Sequence, residues 1–270
     1  MQYTLTGFAD EAGISIEDQM DVLAQNGIDH METRNIDGKP ILALTEEELL
    51  EIKRKMDTKN FRVSAIGSPI GKTLVTDDFG AVLASFDKAV RAAKIFGCRY
   101  IRGFSFYIPK NVVPEDYADE VIMRLGELVR IVAENDLVYA LENESGIFTD
   151  IAERCLYVFE RIASPHFRMA FDPANFINNR VQPYPKAYGM LKQYVDYFHI
   201  KDGTFENGQY INKPAGEGEA DMAKLLREAF DGGFEGFLSI EPHLGYMTDL
   251  TDAQRFTRAA DAIKKVLAGI

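Results

Sequence analysis

The sequence has few cysteines and histidines and no tryptophan. Its 270 residues include two cysteines and four histidines. Cys98 and Cys155 are 57 positions apart and match neither a CxxC motif nor a zinc-ribbon spacing. We therefore expect two buried free thiols, because an unpaired cysteine is most often a core residue.

Long apolar runs and excess positive charge are also absent from the sequence. No run of 18 apolar residues occurs, so the sequence predicts no membrane span. The opening MQYTLTGFADEAG has no charged segment followed by an apolar stretch, which a signal peptide would need. We therefore expect a cytoplasmic protein. A net charge of −12 argues against a nucleic-acid partner, which would require a basic face.

The remaining composition is typical of a globular protein with one large core. Hydrophobic residues make up 46% of the chain and charged residues 27%. Barrels of alternating strands and helices commonly reach about 250 residues as one unit. No linker or low-complexity tract interrupts the sequence. We therefore expect residues 1–270 to form a single domain.

Eight short apolar runs alternate with eight helical patterns along the chain. The apolar runs are residues 3–9, 30–36, 62–68, 100–107, 138–144, 168–174, 196–202 and 237–243. The helical patterns are residues 15–27, 45–60, 77–97, 115–136, 147–164, 185–194, 221–233 and 251–269. This alternation predicts a parallel sheet, and eight repeats predict a closed (β/α)8 TIM barrel of the α/β class. A doubly wound open sheet is the alternative, weakened by the lack of a GxGxxG turn after the first strand.

Residues at the ends of the helical patterns support this interpretation. Ser15, Thr45 and Thr251 stand where an N-cap is expected, and each is followed by acidic residues. The helix ends are marked by glycines that could adopt a left-handed C-terminal cap. These are Gly27, Gly97 and Gly269.

Four polar residues follow apolar stretches near the ends of the last four predicted strands. They are Glu142 in ALEN, Asp172 in AFDP, His199 in FHIKD and Glu241 in SIEP. Their spacings of 30, 27 and 42 residues are one repeat, one repeat, and one repeat plus the loop 203–220. A barrel would therefore bring all four to one rim, at the end where barrel active sites lie.

This set of four side chains predicts a site for one divalent metal ion. A single glutamate at a strand end is more often satisfied by its neighbours, but four polar residues in register are hard to explain that way. Three carboxylates on one rim would repel each other without a cation. Three carboxylates and one imidazole suit Mn²⁺, our first choice, or Co²⁺, Fe²⁺ or Mg²⁺ better than structural zinc, although Zn²⁺ stays possible.

The motifs ALENESG, AFDPANF, FHIKD and GEGEADM…GFLSIEPHL resemble those of the xylose isomerase-like TIM barrels, the sugar phosphate isomerase/epimerase family. The resemblance covers residues 3–267. It implies that Glu142, Asp172, His199 and Glu241 hold the metal. The family includes ketose 3-epimerases, hydroxypyruvate isomerase, inosose dehydratase, dehydroshikimate dehydratase and endonuclease IV. The low histidine count and the negative charge argue against the endonuclease branch.

The resemblance also implies the chemistry. Glu142 and Glu241 are the candidate catalytic base and acid, one for each face of the substrate. They would act through a metal-bound cis-enediolate, which can lead to epimerisation, to an aldose–ketose shift or to dehydration. The chain has Glu144 where many relatives have histidine, and Asn175 where ketose epimerases often have it. Direct transfer of ketose 3-epimerase specificity is therefore in doubt.

Several other residues are candidates for binding a substrate. They are Lys201, Glu217, His243, Lys72, Glu144 and Asn175. Ordinary solvated charges or loop residues are the alternative at each position. Glu32 and Arg34 share one face of the second strand and could form an ion pair that is either structural or substrate-binding. His30 and His166 are expected to have structural or exposed positions.

We therefore predict a metal-dependent isomerase or epimerase that acts on a small sugar, sugar phosphate, polyol or keto-acid. A dehydratase or lyase similar to inosose dehydratase is the first alternative. A catalytically silent sugar-binding barrel is the second. A homo-oligomer is possible, but no residue pattern indicates its size.

Overall fold

In the computed structural model, which describes residues 3–270, eight parallel strands surround the centre of the molecule. The strands, β1 to β8, are Thr4–Gly7, His30–Thr33, Arg62–Gly67, Tyr100–Gly103, Val138–Glu142, Phe167–Phe171, Val195–Ile200 and Phe237–Ile240. Each strand from β2 onward pairs with the next along the chain, and β1 pairs with β8. A parallel bridge between Phe8 and Glu32 links the segments of β1 and β2, so that the barrel is nearly closed. The predicted TIM barrel is confirmed, because an open sheet would not pair its first and last strands.

Helices follow the strands and cover the outside of the barrel. The α-helices, α1 to α9, are Ile16–Gln25, Glu46–Thr58, Phe79–Phe96, Ala118–Glu134, Ala152–Ile162, Pro173–Asn178, Tyr188–Leu191, Met222–Asp231 and Asp252–Ala268. Within residues 3–270, no helix combines the length and the apolar character needed to cross a bilayer.

Most of the predicted helix caps are present. The side chains of Ser15, Thr45 and Thr251 each accept a hydrogen bond from a backbone N–H in the first turn of α1, α2 and α9. Gly97 ends α3 in the left-handed region, with φ +69°, and Gly27 has φ +67°. The prediction for Gly269 is wrong, since its φ is −96°. Gly269 ends α9 in the right-handed region instead.

The main core lies between the sheet and the helices. It consists of aliphatic and aromatic side chains from the outer face of the strands and the inner face of the helices. Phe198 on β7, for example, is fully buried and contacts the rings of Phe171 and Phe234. Burial of one such side chain contributes about 1.5–3 kcal/mol. Cys98 and Cys155 are both buried free thiols in this layer, as predicted.

A second, smaller core closes the amino-terminal end of the barrel interior. Ala65, Ala140, Ala170 and Tyr197 point into the barrel there, and Tyr100 and Phe237 pack against them. Three of the four buried residues are alanines, which leaves room for the aromatic rings. This plug packs the barrel interior below the charged residues at the carboxyl ends of the strands, and its Tyr197 hydroxyl is hydrogen-bonded to Ser64.

The sixth repeat and two loops differ from the predicted pattern. α6 begins at Pro173, directly after β6, although the apolar pattern extends the strand to residue 174. The strand predicted over 100–107 ends at Gly103, and of the helix predicted over 185–194 only Tyr188–Leu191 is an α-helix. The loop 203–220 contains a hairpin, Asp202–Glu206 with Gln209–Lys213.

The end of this hairpin loop is fixed by one buried carboxylate. Asp202, which follows β7, accepts hydrogen bonds from the backbone N–H groups of Gly203, Gly216, Gly218 and Ala220 at 2.8–3.1 Å. A Cβ atom on Gly218 would lie 2.2 Å from the Asp202 carboxylate, so glycine is required at that position. Asp202 therefore holds both ends of the loop next to Lys201.

Candidate metal centre

The barrel brings the four predicted metal ligands together at the carboxyl ends of neighbouring strands. Glu142 is the last residue of β5, Asp172 follows β6 and caps α6, His199 lies in β7, and Glu241 follows β8. Each contributes one ligand atom, and these four atoms lie within 4.8 Å of one another. All four residues are buried, so the cluster is a preformed set of three oxygen donors and one nitrogen donor.

The hydrogen bonding of this cluster is incomplete in a way that fits a cation. Both ring nitrogens of His199, and Oδ2 of Asp172, are buried without a hydrogen-bond partner of suitable geometry among the described residues. Buried polar atoms are nearly always hydrogen-bonded, so such atoms need an explanation. Coordination of a divalent ion by His199 Nδ1 and Asp172 Oδ2 would provide one for these two atoms.

Glu32 on β2 supports His199 from below. His199 Nδ1 lies 3.3 Å from Glu142 Oε1 and faces the cluster, whereas Nε2 lies 3.3 Å from Glu32 Oε2. Ser239 donates a hydrogen bond of 2.8 Å to the same Glu32 oxygen. Histidines that bind metal usually donate their second N–H to a carboxylate, which fixes the ring orientation. Glu32 occupies that position here.

Lys201 supplies positive charge inside the cluster. Its Nζ is 2.8 Å from Asp172 Oδ2 and 2.8 Å from Glu241 Oε2, and the side chain is buried. Burial opposes a charged amine, but Asp172 and Glu241 hold the pKa of Lys201 well above its usual value. The lysine therefore links two of the three carboxylates as a permanent cation.

The carboxylates differ in their electrostatic surroundings. Burial raises the pKa of Asp172 to about 6, although Lys201 partly opposes it. Burial acts in the same direction on Glu142, but the charges of His199 and Arg102 outweigh it and lower the pKa to about 2. For His199, burial alone would lower the pKa, but Glu142 and Glu32 hold it well above its usual value. The protonated His199 supplies positive charge to the cluster. A divalent ion would take over that role, since a coordinating imidazole must be neutral.

Two asparagines fix the carboxylates in place. Asn143 and Asp172 are linked twice. Asn143 Nδ2 donates to the Asp172 carbonyl at 2.8 Å, and Asn143 Oδ1 accepts from the Asp172 backbone N–H at 2.9 Å. Asn175 Nδ2 donates to Glu142 Oε1 at 3.1 Å, and its backbone N–H donates to Asp172 Oδ1 at 2.9 Å. Asn175, predicted as a substrate contact, is thus a neighbour of two candidate ligands.

A family model described as xylose isomerase-like TIM barrel matches residues 20–266. The chain belongs to this family. No curated protein matches the sequence.

Solved structures similar to this xylose isomerase-like barrel agree with the fold. The IOLI protein with a bound zinc atom has a TM-score of 0.82 and 17% identity, over 98% of both chains. A D-tagatose 3-epimerase-like protein has a TM-score of 0.77 and 17% identity, over 98% of this chain and 97% of the other. The probable 3-DHS dehydratase AsbF from Bacillus anthracis has a TM-score of 0.74 and 16% identity, over 95% and 98%. At these identities the likeness shows the fold alone.

A cavity of about 340 Å³ opens above the candidate ligands of this family member. Glu142 and Glu241 form part of its floor, and Arg34 and Arg102 also line it. One wall is largely apolar. It consists of Pro40, Ile41, Leu42, Pro69 and Phe104. The volume and the mixed lining suit a small polar molecule with one carbon-rich face.

Three further predicted substrate contacts lie in this cavity. Lys72 Nζ is 3.1 Å from Glu144 Oε2 at the mouth, and the lysine also lies over the Phe104 ring. His243 Nε2 is 3.2 Å from Glu241 Oε1 and 3.2 Å from Glu11 Oε1. Burial opposes protonation of His243, but Glu241 and Glu11 raise its pKa to about 10.

Glu217, which was also predicted to contact the substrate, does not line this cavity. It pairs with Arg258 of α9 and lies in a groove between the hairpin loop and the outer helices.

The proposed Glu32–Arg34 pair is replaced by other pairings. Glu32 faces Arg102 and His199, whereas Arg34 Nε is 2.8 Å from Asp10 Oδ2. Sequence spacing put Glu32 and Arg34 on one face, but β2 ends at Thr33 and Arg34 turns toward the first repeat.

Arg102 is the main site residue that the sequence reasoning missed. It lies on β4 inside the barrel, with Nε 3.3 Å from Glu142 Oε2 and NH1 donating to the Ser68 carbonyl at 2.9 Å. The motif YIRG contained the signal, since an arginine between apolar residues in a predicted strand requires a buried partner. The partner lies 40 residues further along the chain, which no local pattern could indicate.

Proposed function

We propose that this barrel is a divalent-metal-dependent isomerase or epimerase that moves a proton at the carbon next to a carbonyl group in a sugar or polyol. The observation that supports it is that two buried carboxylates, Glu142 and Glu241, face one cavity with different neighbours. Glu142 lies against Arg102 and Asn175, and Glu241 against Lys201 and His243. Each can therefore act from its own side of a bound molecule.

Glu142, Asp172, His199 and Glu241 would hold the metal ion. Bound there, a divalent ion would polarise the carbonyl group and make the neighbouring C–H more acidic. Of the candidate ions, Mn²⁺ stays our first choice for this donor set, with Zn²⁺, Mg²⁺, Co²⁺ and Fe²⁺ as alternatives. A cytoplasmic location and a homo-oligomeric state also stay predictions.

The two glutamates are the proposed acid and base. The pKa of Glu142 is about 2 and that of Glu241 lies well below its usual value, since Lys201 and His243 outweigh burial there. Both are therefore ionised at neutral pH and able to accept a proton. Removal by one glutamate and return from the other face would invert the carbon, whereas return to the neighbouring carbon would shift the carbonyl.

The neighbouring cations are proposed to stabilise the negative charge that develops on the substrate oxygens. Arg102 and His243 line the cavity, and Lys201 lies just beneath it. Fixed donors of this kind act strongly in a buried site because they need no reorganisation. They would favour an enediolate formed by either proton transfer, in which one negative charge moves from the glutamate to the substrate and the net charge of the site stays the same.

A dehydratase is the second candidate, and the position of His243 favours it. His243 lines the cavity beside Glu241 and is charged at neutral pH when its pKa is about 10. It could donate a proton to a hydroxyl group that leaves from the carbon beyond the enediolate. The similar AsbF structure, described as a probable dehydratase, adds only the possibility that this fold accommodates such a reaction.

The proposal is tested by deuterium exchange on a panel of ketoses and keto-inositols. The protein, loaded with Mn²⁺, is incubated with each compound in D₂O and followed by NMR. We expect deuterium at the carbon next to the carbonyl of at least one compound, and no exchange after chelation of the metal. Loss of water to give an enone would identify a dehydratase. If no compound exchanges at full metal occupancy, the proposed proton transfer is wrong.

A further inference from the structure

We propose that the substrate of this site carries no net charge, and that it is a free polyhydroxy ketone or a cyclic keto-polyol rather than a phosphorylated sugar or a sugar acid. This inference rests on the proposed function. It comes from the charges around the cavity. Among residues 3–270, each lysine and arginine that lines the cavity or lies directly beneath it is already paired with a carboxylate of the chain.

The innermost charges balance once a divalent ion is counted. Glu142, Asp172 and Glu241 contribute three negative charges. Lys201, 2.8 Å from two of these carboxylates, contributes one positive charge, and a divalent ion contributes two. His199 is neutral when it coordinates a metal. The metal layer therefore has no surplus positive charge to offer to an anionic group.

The two arginines are also engaged. Arg102 Nε lies 3.6 Å from Glu32 Oε1, and the arginine is almost completely buried between Glu32 and Glu142. Arg34 Nε is 2.8 Å from Asp10 Oδ2, and its NH2 is 3.2 Å from Glu11 Oε1. Arg34 has all three guanidinium nitrogens near carboxylates, since its NH1 also lies 3.5 Å from Glu241 Oε1. Arg102 NH1 donates to the Ser68 carbonyl at 2.9 Å, and the charge of Arg102 is shared between Glu32 and Glu142.

His243 and Lys72 complete the lining. His243 Nε2 contacts Glu11 and Glu241, so its charge, if present, only balances Glu11. Lys72 Nζ is 3.1 Å from Glu144 Oε2 and 4.3 Å from the centre of the Phe104 ring. Glu144 thus neutralises Lys72, the most exposed lysine or arginine of the cavity lining.

An anionic substrate would therefore have to break an existing ion pair or remain unpaired among carboxylates, and both are unfavourable in a partly desolvated cavity. An uncharged sugar meets no such obstacle. Its hydroxyl groups can hydrogen-bond to the outer oxygens and nitrogens of the ion pairs. Its C–H face can pack on the apolar wall formed by residues 40–42, Pro69 and Phe104.

The inference is tested by calorimetric titration of the Mn²⁺-loaded protein with matched pairs. Each pair is a free ketose and its terminal phosphate, for example fructose with fructose 6-phosphate, and tagatose with tagatose 6-phosphate. We expect the best free ketose or keto-inositol to bind at least tenfold more tightly than any phosphate. Equal or tighter binding of a phosphate would overturn the inference, as would a lack of binding by every uncharged compound.

A single variant makes the test sharper. Glu144→Gln removes the charge that neutralises Lys72, so we expect affinity for the phosphate member of a pair to rise about tenfold relative to the free sugar. Glu228→Gln is the matched control, since Glu228 pairs with Lys192 near the amino-terminal end of the barrel. It should leave the ratio as in the wild type. An unchanged ratio in Glu144→Gln would contradict the role given to Glu144.

The two proposals can fail separately. Tight binding of an uncharged ketose without deuterium exchange keeps the charge inference and rejects the proposed proton transfer. Exchange that occurs only with phosphorylated ketoses keeps the proton transfer and rejects the charge inference.

Discussion

The two ends of the barrel interior have opposite chemistry, although the same strands build both. At the amino-terminal end, Ala65, Ala140, Ala170 and Tyr197 form an apolar plug with aromatic neighbours. Two residues beyond Ala140, Ala170 and Tyr197, at the carboxyl end, lie Glu142, Asp172 and His199. One strand therefore stabilises the barrel at one end and arranges charged groups at the other.

This difference shows how a buried cluster of charges can be accommodated without destabilising the hydrophobic core. Isolated ions in a low-dielectric interior are costly, by several kcal/mol each. The plug keeps the lower interior tightly packed, and each charge above it has a partner of opposite sign within about 3.6 Å. The two ends should therefore respond to mutation independently.

The largest effect is expected from the charged end. Glu142→Gln and Glu241→Gln should each slow exchange at the substrate carbon by about 10²–10⁴, because an amide cannot accept the proton. In a true epimerase each variant should lose deuterium wash-in from one epimer more than from the other. Exchange is measured by NMR in D₂O, with metal occupancy determined separately.

Glu228→Gln is again the control for the change from acid to amide, and the circular dichroism of all three variants should match the wild type. Near-wild-type exchange in both site variants at full metal loading would mean that another residue is the base.

At the apolar end, Phe237→Ala should act on stability instead. Removal of its ring from the contacts with Tyr100 and Tyr197 should lower the free energy of unfolding by about 3 kcal/mol, near the lower limit for such changes because Phe237 is only partly buried. Urea denaturation of the metal-free protein measures this loss. Metal affinity should change less than threefold. A large loss of affinity without a loss of stability would contradict the separation of the two ends.

The smallest effect is expected where the two ends meet. Glu32→Gln should weaken binding of the divalent ion by about 10- to 100-fold, since such support of a ligating histidine typically contributes that much. Titration with Co²⁺, followed by its visible spectrum, measures affinity and geometry together.

Ser239→Ala is the matched control for Glu32. It removes a hydrogen bond to Glu32 but keeps the carboxylate, so its effect on affinity should be smaller than that of Glu32→Gln. Unaltered affinity and spectrum in Glu32→Gln would show that Glu32 has no role in orienting His199.

The sequence was sufficient to predict the barrel and the cluster of four polar residues. A repeat of about 30 residues determines which strand ends are neighbours, and Glu142, Asp172 and His199 are spaced by that repeat. Glu241 could be added because β7 and β8 are neighbours in the barrel, although the long loop 203–220 separates them in the sequence. These predictions required only the length of the repeat and the order of the strands along the chain.

Pairings between side chains inside the barrel were beyond the same reasoning. Glu32 reaches His199 from β2 to β7, and Arg102 reaches Glu142 from β4 to β5, at distances set by side-chain rotamers inside the barrel. Glu217 was misplaced for a related reason. The glycine-flanked loop could have covered the cavity, but the backbone N–H groups of Gly216 and Gly218 donate to Asp202, and Glu217 between them pairs with Arg258. Hydrogen bonds of this kind leave no periodic trace in a sequence.

The four hydrogen bonds that converge on Asp202 have a consequence for protein engineering. They fix both ends of the segment between residues 202 and 220, whereas its tip at Asn207 and Gly208 is a turn between the two hairpin strands, with positive φ at both residues. We therefore expect an insertion or deletion at the tip to alter the hairpin without moving Lys201. The tip is a natural insertion point for a peptide tag or a fluorescent reporter in a barrel whose metal centre must stay undisturbed.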